Sequence, residues 1–185
     1  MSDHGILFKE DMTAAIREGR KTETRRLSGL ERINAVPDHW ELVAVFQDGL
    51  ARFGAKNGTQ EITCKARYAV GDRLYVKEAV CYDCEDSLIP MPCYKLDRET
   101  NPASDFCDCW KSPMFMPKRF ARTWGTVTEV RAQRLQDTSP ADMVAEGFPI
   151  VTQFGEISFP QYINSLDDGA WDKNLWAFAY TIKWD

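Results

Sequence analysis

Apolar residues recur along this chain in two periods. Across residues 9–18, Met12, Ala15 and Ile16 fall at i, i+3 and i+4. That spacing puts them on one helical face, and Gly19 supplies the stop. Beyond it the period shortens to two. Leu42 to Phe46 reads as a strand, Gln47-Asp48-Gly49 as a turn, and Leu50 to Phe53 as the return of a hairpin. Glu61 to Tyr68 leads through the turn Val70-Gly71-Asp72 into Arg73-Leu74-Tyr75-Val76-Lys77-Glu78. There Leu74 and Val76 share one face, and Arg73, Tyr75 and Lys77 the other. Strand character resumes near Phe120, with alternation through Trp124, Thr126, Thr128 and Val130. Ser139-Pro140-Ala141-Asp142 is a helix start, with a capping Ser, Pro in the first turn and a helpful acid, and Gly147 closes that helix. Residues 160–168 predict another short helix, and Leu175 to Trp184 a final strand rich in aromatic side chains.

The pattern breaks over residues 81–117, a proline-rich stretch with five of the six cysteines. It reads as a long loop or insertion. Without it, the predicted elements give one domain over residues 1–185, mainly β with short helices (α+β).

Composition narrows the function. A 185-residue chain can bury a substantial core. Its net charge of −5 argues against a whole-body grip on a polynucleotide, which comes from Lys and Arg displacing counterions. A local basic pocket for a small ligand fits better. Asp3, Lys9, Glu10 and Asp11 interrupt the N-terminal stretch, so no signal peptide is expected. No segment approaches a membrane span. The expected setting is cytoplasmic, without a membrane partner, and the expected state is a monomer.

The densest chemistry lies in Gly19-Arg20-Lys21-Thr22-Glu23-Thr24-Arg25-Arg26: one lysine, three arginines, two hydroxyls and a carboxylate in eight residues. Such a run can be a solvated face. It can equally bind an anion or nucleotide, and a Lys near a Thr can perform acyl chemistry. Gly19, Lys21 and Arg26 match the Gly-x-Lys-x-x-x-x-Arg signature of the ASCH domain, whose barrel is related to the PUA fold. Gly71-Asp72-Arg73-Leu74-Tyr75-Val76-Lys77-Glu78 resembles that family's Gly-Asp-x-Leu-x-Val-x-Glu strand. Ile6-Leu7-Phe8, Met116-Pro117 to Arg122, Arg131 to Gly147, and Trp171 with Asn174-Leu175-Trp176 resemble further segments of ASCH proteins from bacteriophages and prophages. The resemblance implies a PUA-like β-barrel with a Cys/Pro-rich insertion. ASCH domains are generally proposed to bind RNA or nucleotides. Small bacterial members are amidohydrolases that remove the acetyl group from N4-acetylcytidine. Their working Lys, Thr and Glu fall here on Lys21, Thr24 and Glu78.

Amide hydrolysis needs a nucleophile, a proton acceptor and an oxyanion stabiliser. Thr24 is the candidate nucleophile. Lys21 can serve as base only if burial or nearby cations such as Arg20, Arg25 and Arg26 lower its pKa. Glu78 then orients Lys21 or a water. Alternatively Lys21 stays charged and steadies the oxyanion while Glu78 is the base. The competing structural readings are a strand residue for Thr24 and a surface ion pair for Glu78. Arg20, Arg25, Arg26 and Tyr75 are the candidate substrate-binding residues, with Tyr75 able to stack on a base.

No cofactor is required for this chemistry. The cysteines Cys81, Cys84, Cys93, Cys107 and Cys109 offer a structural zinc site, or remain free thiols, since a reducing compartment disfavours pairing. His4 and His39 fall in no Cys–His signature, and no phosphate-binding Gly-rich loop or metal-hydrolase motif occurs. The leading expectation is a hydrolase acting on an acylated nucleobase or nucleoside. The alternatives are a non-catalytic RNA- or nucleotide-binding module, and a protein whose insertion binds a host protein.

Overall fold

The computed structural model describes residues 2–82, 92–98, 100, 109–148 and 158–185. Its largest sheet has five strands: β1 (Asp3–Leu7), β2 (Glu23–Arg26), β6 (Arg73–Lys77), β9 (Trp124–Arg134) and β10 (Trp176–Trp184), in the order β1-β6-β9-β10-β2. β1 runs parallel to β6, and the other pairings are antiparallel. A second sheet is the meander β3 (Trp40–Val45), β4 (Leu50–Ala55) and β5 (Glu61–Lys65), which contains the hairpin expected at Gln47-Asp48-Gly49. Strands outweigh helices, as the mainly β reading expects. Among the described residues the strand pairing does not close a barrel.

The sheets pack face to face. In β6, Leu74 and Val76 are fully buried while Arg73, Tyr75 and Lys77 turn outward, as the period of two requires. Ile6, Val127, Phe178 and Ile182 join them from the same sheet, and Trp40, Ala51 and Phe53 from the meander. Phe53 meets Trp176 edge-on at 5.1 Å, and Tyr180 meets Tyr68 at 5.2 Å. The terminal aromatics Trp176, Phe178 and Tyr180 are therefore core. In β9 the expected alternation changes phase, because a bulge between Val127 and Glu129 shifts the register against β10. Val127 and Val130 both point inward, while Trp124, Thr126 and Thr128 do not.

Among the described residues four α-helices attach to this frame: α1 (Glu10–Arg17), α2 (Glu31–Asn34), α3 (Pro140–Ala145) and α4 (Phe159–Leu166). Ser139 begins α3 with a reciprocal capping box to Asp142, as its sequence suggests. Ser158 and Gln161 make the same box on α4.

The insertion contains regular structure. β7 (Val80–Cys81) pairs with β8 (Cys93–Tyr94), and Val80 bridges to Lys111. This convergence brings the Cα atoms of Cys81 and Cys109 to 5.8 Å, and the two form a disulfide. The expectation of unpaired thiols is thus corrected at these two positions. Cys93 is buried opposite Cys81. Cys84 and Cys107 lie outside the described residues. Among the described residues no group of side chains could hold a metal ion, and no helix is long and apolar enough to cross a membrane.

Candidate functional site

β2 is the edge strand that carries the site. Its sequence, Glu-Thr-Arg-Arg, is wholly polar, yet Glu23, Thr24 and Arg25 are buried. Burial of so many charges is tolerable only with opposite charges alongside. The partners come from α3 and β9. α3 ends at Glu146, which forms an isolated bridge with Lys21. Gly147 follows at φ +94°, and a Cβ there would come within 3.2 Å of both the Lys21 and Ala15 side chains. Glycine is therefore needed twice over, for the left-handed turn and for the close approach.

Lys21 is 2% exposed. Its Nζ donates to the Glu23 carbonyl at 2.8 Å, the Glu146 carbonyl at 2.9 Å and Glu146 Oε2 at 2.5 Å. All three protons of the ammonium are engaged. Burial pushes the Lys21 pKa below its ordinary value, opposed by the Glu146 carboxylate and reinforced by Arg26 and Arg25. Arg25 donates from Nη1 to Glu146 Oε1 at 3.0 Å and lies within 3.2 Å of Glu23 and 3.5 Å of Asp142. Arg131 reaches Glu23 and Asp142 from the other side. Burial pushes the Glu23 carboxyl up, against the pull of Arg25 and Arg131. Three cations and three carboxylates thus balance in one buried cluster.

One face of this cluster is open. Lys21, Thr24, Arg25, Arg26, Glu146 and Tyr162 line a cavity of about 230 Å³ together with neighbouring apolar side chains. Thr24 is 4% exposed, and its hydroxyl makes no hydrogen bond among the described residues. Burial, aided by the nearby Glu146 and Asp11 charges, pushes the Tyr162 phenol up to about 12. A second cavity of about 300 Å³ adjoins, sharing Arg25, Arg26, Ile163 and Leu166 and otherwise mostly apolar. Arg26 stands between the two. Its Nη2 donates to the Leu7 carbonyl at 2.7 Å, and its guanidinium lies 5.2 Å from the Phe8 ring centre. It thereby bridges β2 and β1, the two outer strands of the same sheet, which curls round until its edges face each other.

Glu78 lines a different cavity. It is buried just after β6, where Arg122 donates to its two oxygens at 3.0 and 2.8 Å. Arg122 also binds Asp97 and stacks 3.7 Å from the Tyr94 ring centre, while Arg17 of α1 reaches Asp97 at 2.7 Å. The Arg122 hydrogen bond holds the Asp97 carboxyl below its usual range, opposed by burial and helped by Arg17. The space beside Glu78 is only about 20 Å³. Phe8 lines both this space and the Thr24 cavity.

Lys21, Thr24, Arg25 and Arg26 thus line one cavity and Glu78 lines another, with Phe8 common to both. Arg20 is exposed, paired with Glu18 and donating to the Gly147 carbonyl at 3.2 Å. Tyr75 lines none of these cavities; it packs against Trp124 on the outer face of the sheet. The carboxylate at Lys21 is Glu146, 125 residues away. The Glu-Gly pair ending the α3 pattern was the only sequence signal there, and it marks a helix end rather than a partner. None of the family models, curated proteins or solved structures compared with this chain matches it.

Proposed function

We propose that this chain is a hydrolase of an acylated nucleobase or nucleoside, of the N4-acetylcytidine type, and that its curled sheet and meander are a PUA-like ASCH fold. The observation that carries the reading is Thr24: a buried residue whose hydroxyl, unpartnered among the described residues, lines one cavity with a buried Lys–Glu pair. In low dielectric, moving the proton from Lys21 to Glu146 replaces two buried charges with two neutral groups, which lowers its cost. The neutral amine then accepts the Thr24 proton as Oγ attacks the acyl carbonyl carbon. Collapse of the tetrahedral intermediate breaks the C–N bond, and the leaving amine takes that proton. Water then hydrolyses the acyl-threonine ester, releasing the carboxylate and restoring the hydroxyl. Arg26, at the cavity junction, is suited to a phosphate or a base edge. A base role for Glu78 loses support, because Arg122 occupies both its oxygens.

A second reading has its own support. All three Lys21 protons already have acceptors, which suits a pocket that only binds a modified nucleotide. Incubation with N4-acetylcytidine, with chromatographic detection of cytidine, separates the two. Cytidine release that disappears in Thr24→Ala supports hydrolysis. Calorimetric binding without turnover supports the pocket alone.

A further inference from the structure

The proposed reaction takes place in the Thr24 cavity and gives the second, adjoining cavity nothing to do. At about 300 Å³ it stands at the small end of the range for small-molecule sites, about 300–1,000 Å³. Leu27, Leu135, Ile163, Leu166 and Ala170 make most of its lining. They come from three separate stretches of chain: just after β2, just after β9, and from α4 with the segment that follows it. Leu135, Ile163 and Ala170 belong to the small core under α4, and Leu27 packs against them. The apolar wall is thus one side of a packed core.

The two arginines at this cavity differ in their partners. Arg25 has Glu146 at 3.0 Å, Glu23 at 3.2 Å and Asp142 at 3.5 Å. Arg26 pairs with no carboxylate of the described residues; its contacts are the Leu7 carbonyl and the Phe8 ring. Its Nε is buried and has no acceptor. Lys21, Arg25 and Arg131 already balance Glu23, Asp142 and Glu146, so Arg26 is one cation in excess. A partly buried guanidinium in that position gains from an anion, and a carboxylate can take two of its N–H groups at once. The acid at this cavity is Asp167, which is exposed and has no side-chain partner among the described residues. Water and salt screen its charge. An apolar wall beside one unneutralised cation complements an apolar body with one carboxylate. An uncharged hydrocarbon would bury Arg26 further without a partner, and a sugar or bare phosphate would gain nothing from the leucines. We propose that the second cavity binds an aliphatic monocarboxylate, with its tail along Leu27, Leu135 and Ala170 and its head at Arg26. The proposal goes beyond the hydrolase reading and does not depend on it.

The test is calorimetric titration of the intact chain with sodium hexanoate, and in parallel with acetate, 1-hexanol and hexylamine. Saturable hexanoate binding is expected, with a Kd of about 1 mM or below. Acetate lacks the tail and 1-hexanol the charge, so each should bind about tenfold more weakly or worse. Acetate is also the acid that the proposed hydrolysis releases, so its weak binding separates this site from simple product retention. Arg26→Gln should weaken hexanoate by about tenfold and leave 1-hexanol unchanged, a split that misfolding does not produce. Asp167→Asn, at an exposed position, should tighten hexanoate about two- to threefold, the size of one screened surface charge. Ser28 is exposed and lines this cavity but not the Thr24 cavity, so Ser28→Trp should block hexanoate. The proposal is overturned by no saturation up to about 10 mM hexanoate, by tighter binding of hexylamine, by indifference to Arg26→Gln, by weaker binding in Asp167→Asn, or by full affinity in Ser28→Trp. Thr24→Ala should leave hexanoate binding intact. No readout here needs turnover, so failure of the hydrolase reading and failure of this one are told apart.

Discussion

Two buried carboxylates, Glu146 and Glu78, each hold an arginine or lysine, but they do opposite work. Glu146 sits at a cavity wall, shared between Lys21 and Arg25, and lines the same cavity as the Thr24 hydroxyl. Glu78 is saturated by one guanidinium, and that guanidinium continues through Asp97 to Arg17. The first cluster faces space a ligand can fill. The second ties α1, β6 and the insertion together and leaves almost none. A buried ion pair becomes a chemical site only when part of its surroundings is left open, and here Arg122 closes the one at Glu78.

The largest effect should come from Glu146→Ala. It takes the carboxylate from buried Lys21 and leaves Arg25 only Glu23 and Asp142, so denaturant unfolding should show a loss of about 3–5 kcal/mol. Thr24→Ala should lower acyl-cytidine hydrolysis by about 10²-fold or more while shifting stability by less than about 1 kcal/mol, because its hydroxyl has no partner to lose among the described residues. Glu78→Ala should cost about 1–2 kcal/mol, expose the residue 81–117 region to protease, and change turnover only a few-fold. Abolished turnover with an intact protease pattern would instead put Glu78 in the reaction and dissolve the contrast.

The two clusters should also separate by pH. Asp97 has a lowered pKa in the folded chain, so its contribution is present above the ordinary value of 3.8 and is lost as pH falls through the lowered one. Asp97→Asn should flatten the acid limb of a stability–pH curve. Lys21 also has a lowered pKa, but it is a base. Below its ordinary 10.5 the unfolded chain holds a proton that the folded one sheds earlier, so this group makes stability rise with pH across that interval. Lys21→Met should remove that alkaline rise. The smallest effect concerns the sulfur cluster. Peptide mapping without reductant should find Cys81 linked to Cys109, with reduction loosening the insertion and sparing turnover. Detection of about one zinc per chain by elemental analysis would mean that these thiols close on a metal instead.

Much of the frame was legible because one-sided burial writes itself into sequence. β6 was readable from Leu74 and Val76, α1 from Met12, Ala15 and Ile16, and the start of α3 from Ser139 and Pro140. β2 was not legible as a buried strand. Its burial depends on Arg131, Asp142 and Glu146, and no local pattern announces charges that neutralise one another from distant segments. The phase change in β9 was hidden for a similar reason, since the bulge is set by pairing with β10. At the site, the density of Lys21, Thr24, Arg25 and Arg26 pointed to the strand that lines the cavity. Chain position could not tell that Glu78 is closed off by Arg122.

β10 lies between β9 and β2, with Tyr180 opposite Val130 on one side and Thr24 on the other. During synthesis β2 therefore leaves the ribosome long before the strand that must hold it. At ~5–20 residues per second, the gap between Arg26 and Trp176 is on the order of 10 s. Throughout that time the Lys21–Arg26 segment lacks its sheet partner, and for most of it Glu146 has not been made either. The nascent chain thus carries a highly charged, poorly aggregating stretch while it waits, and the cavity can exist only once synthesis has passed through β10.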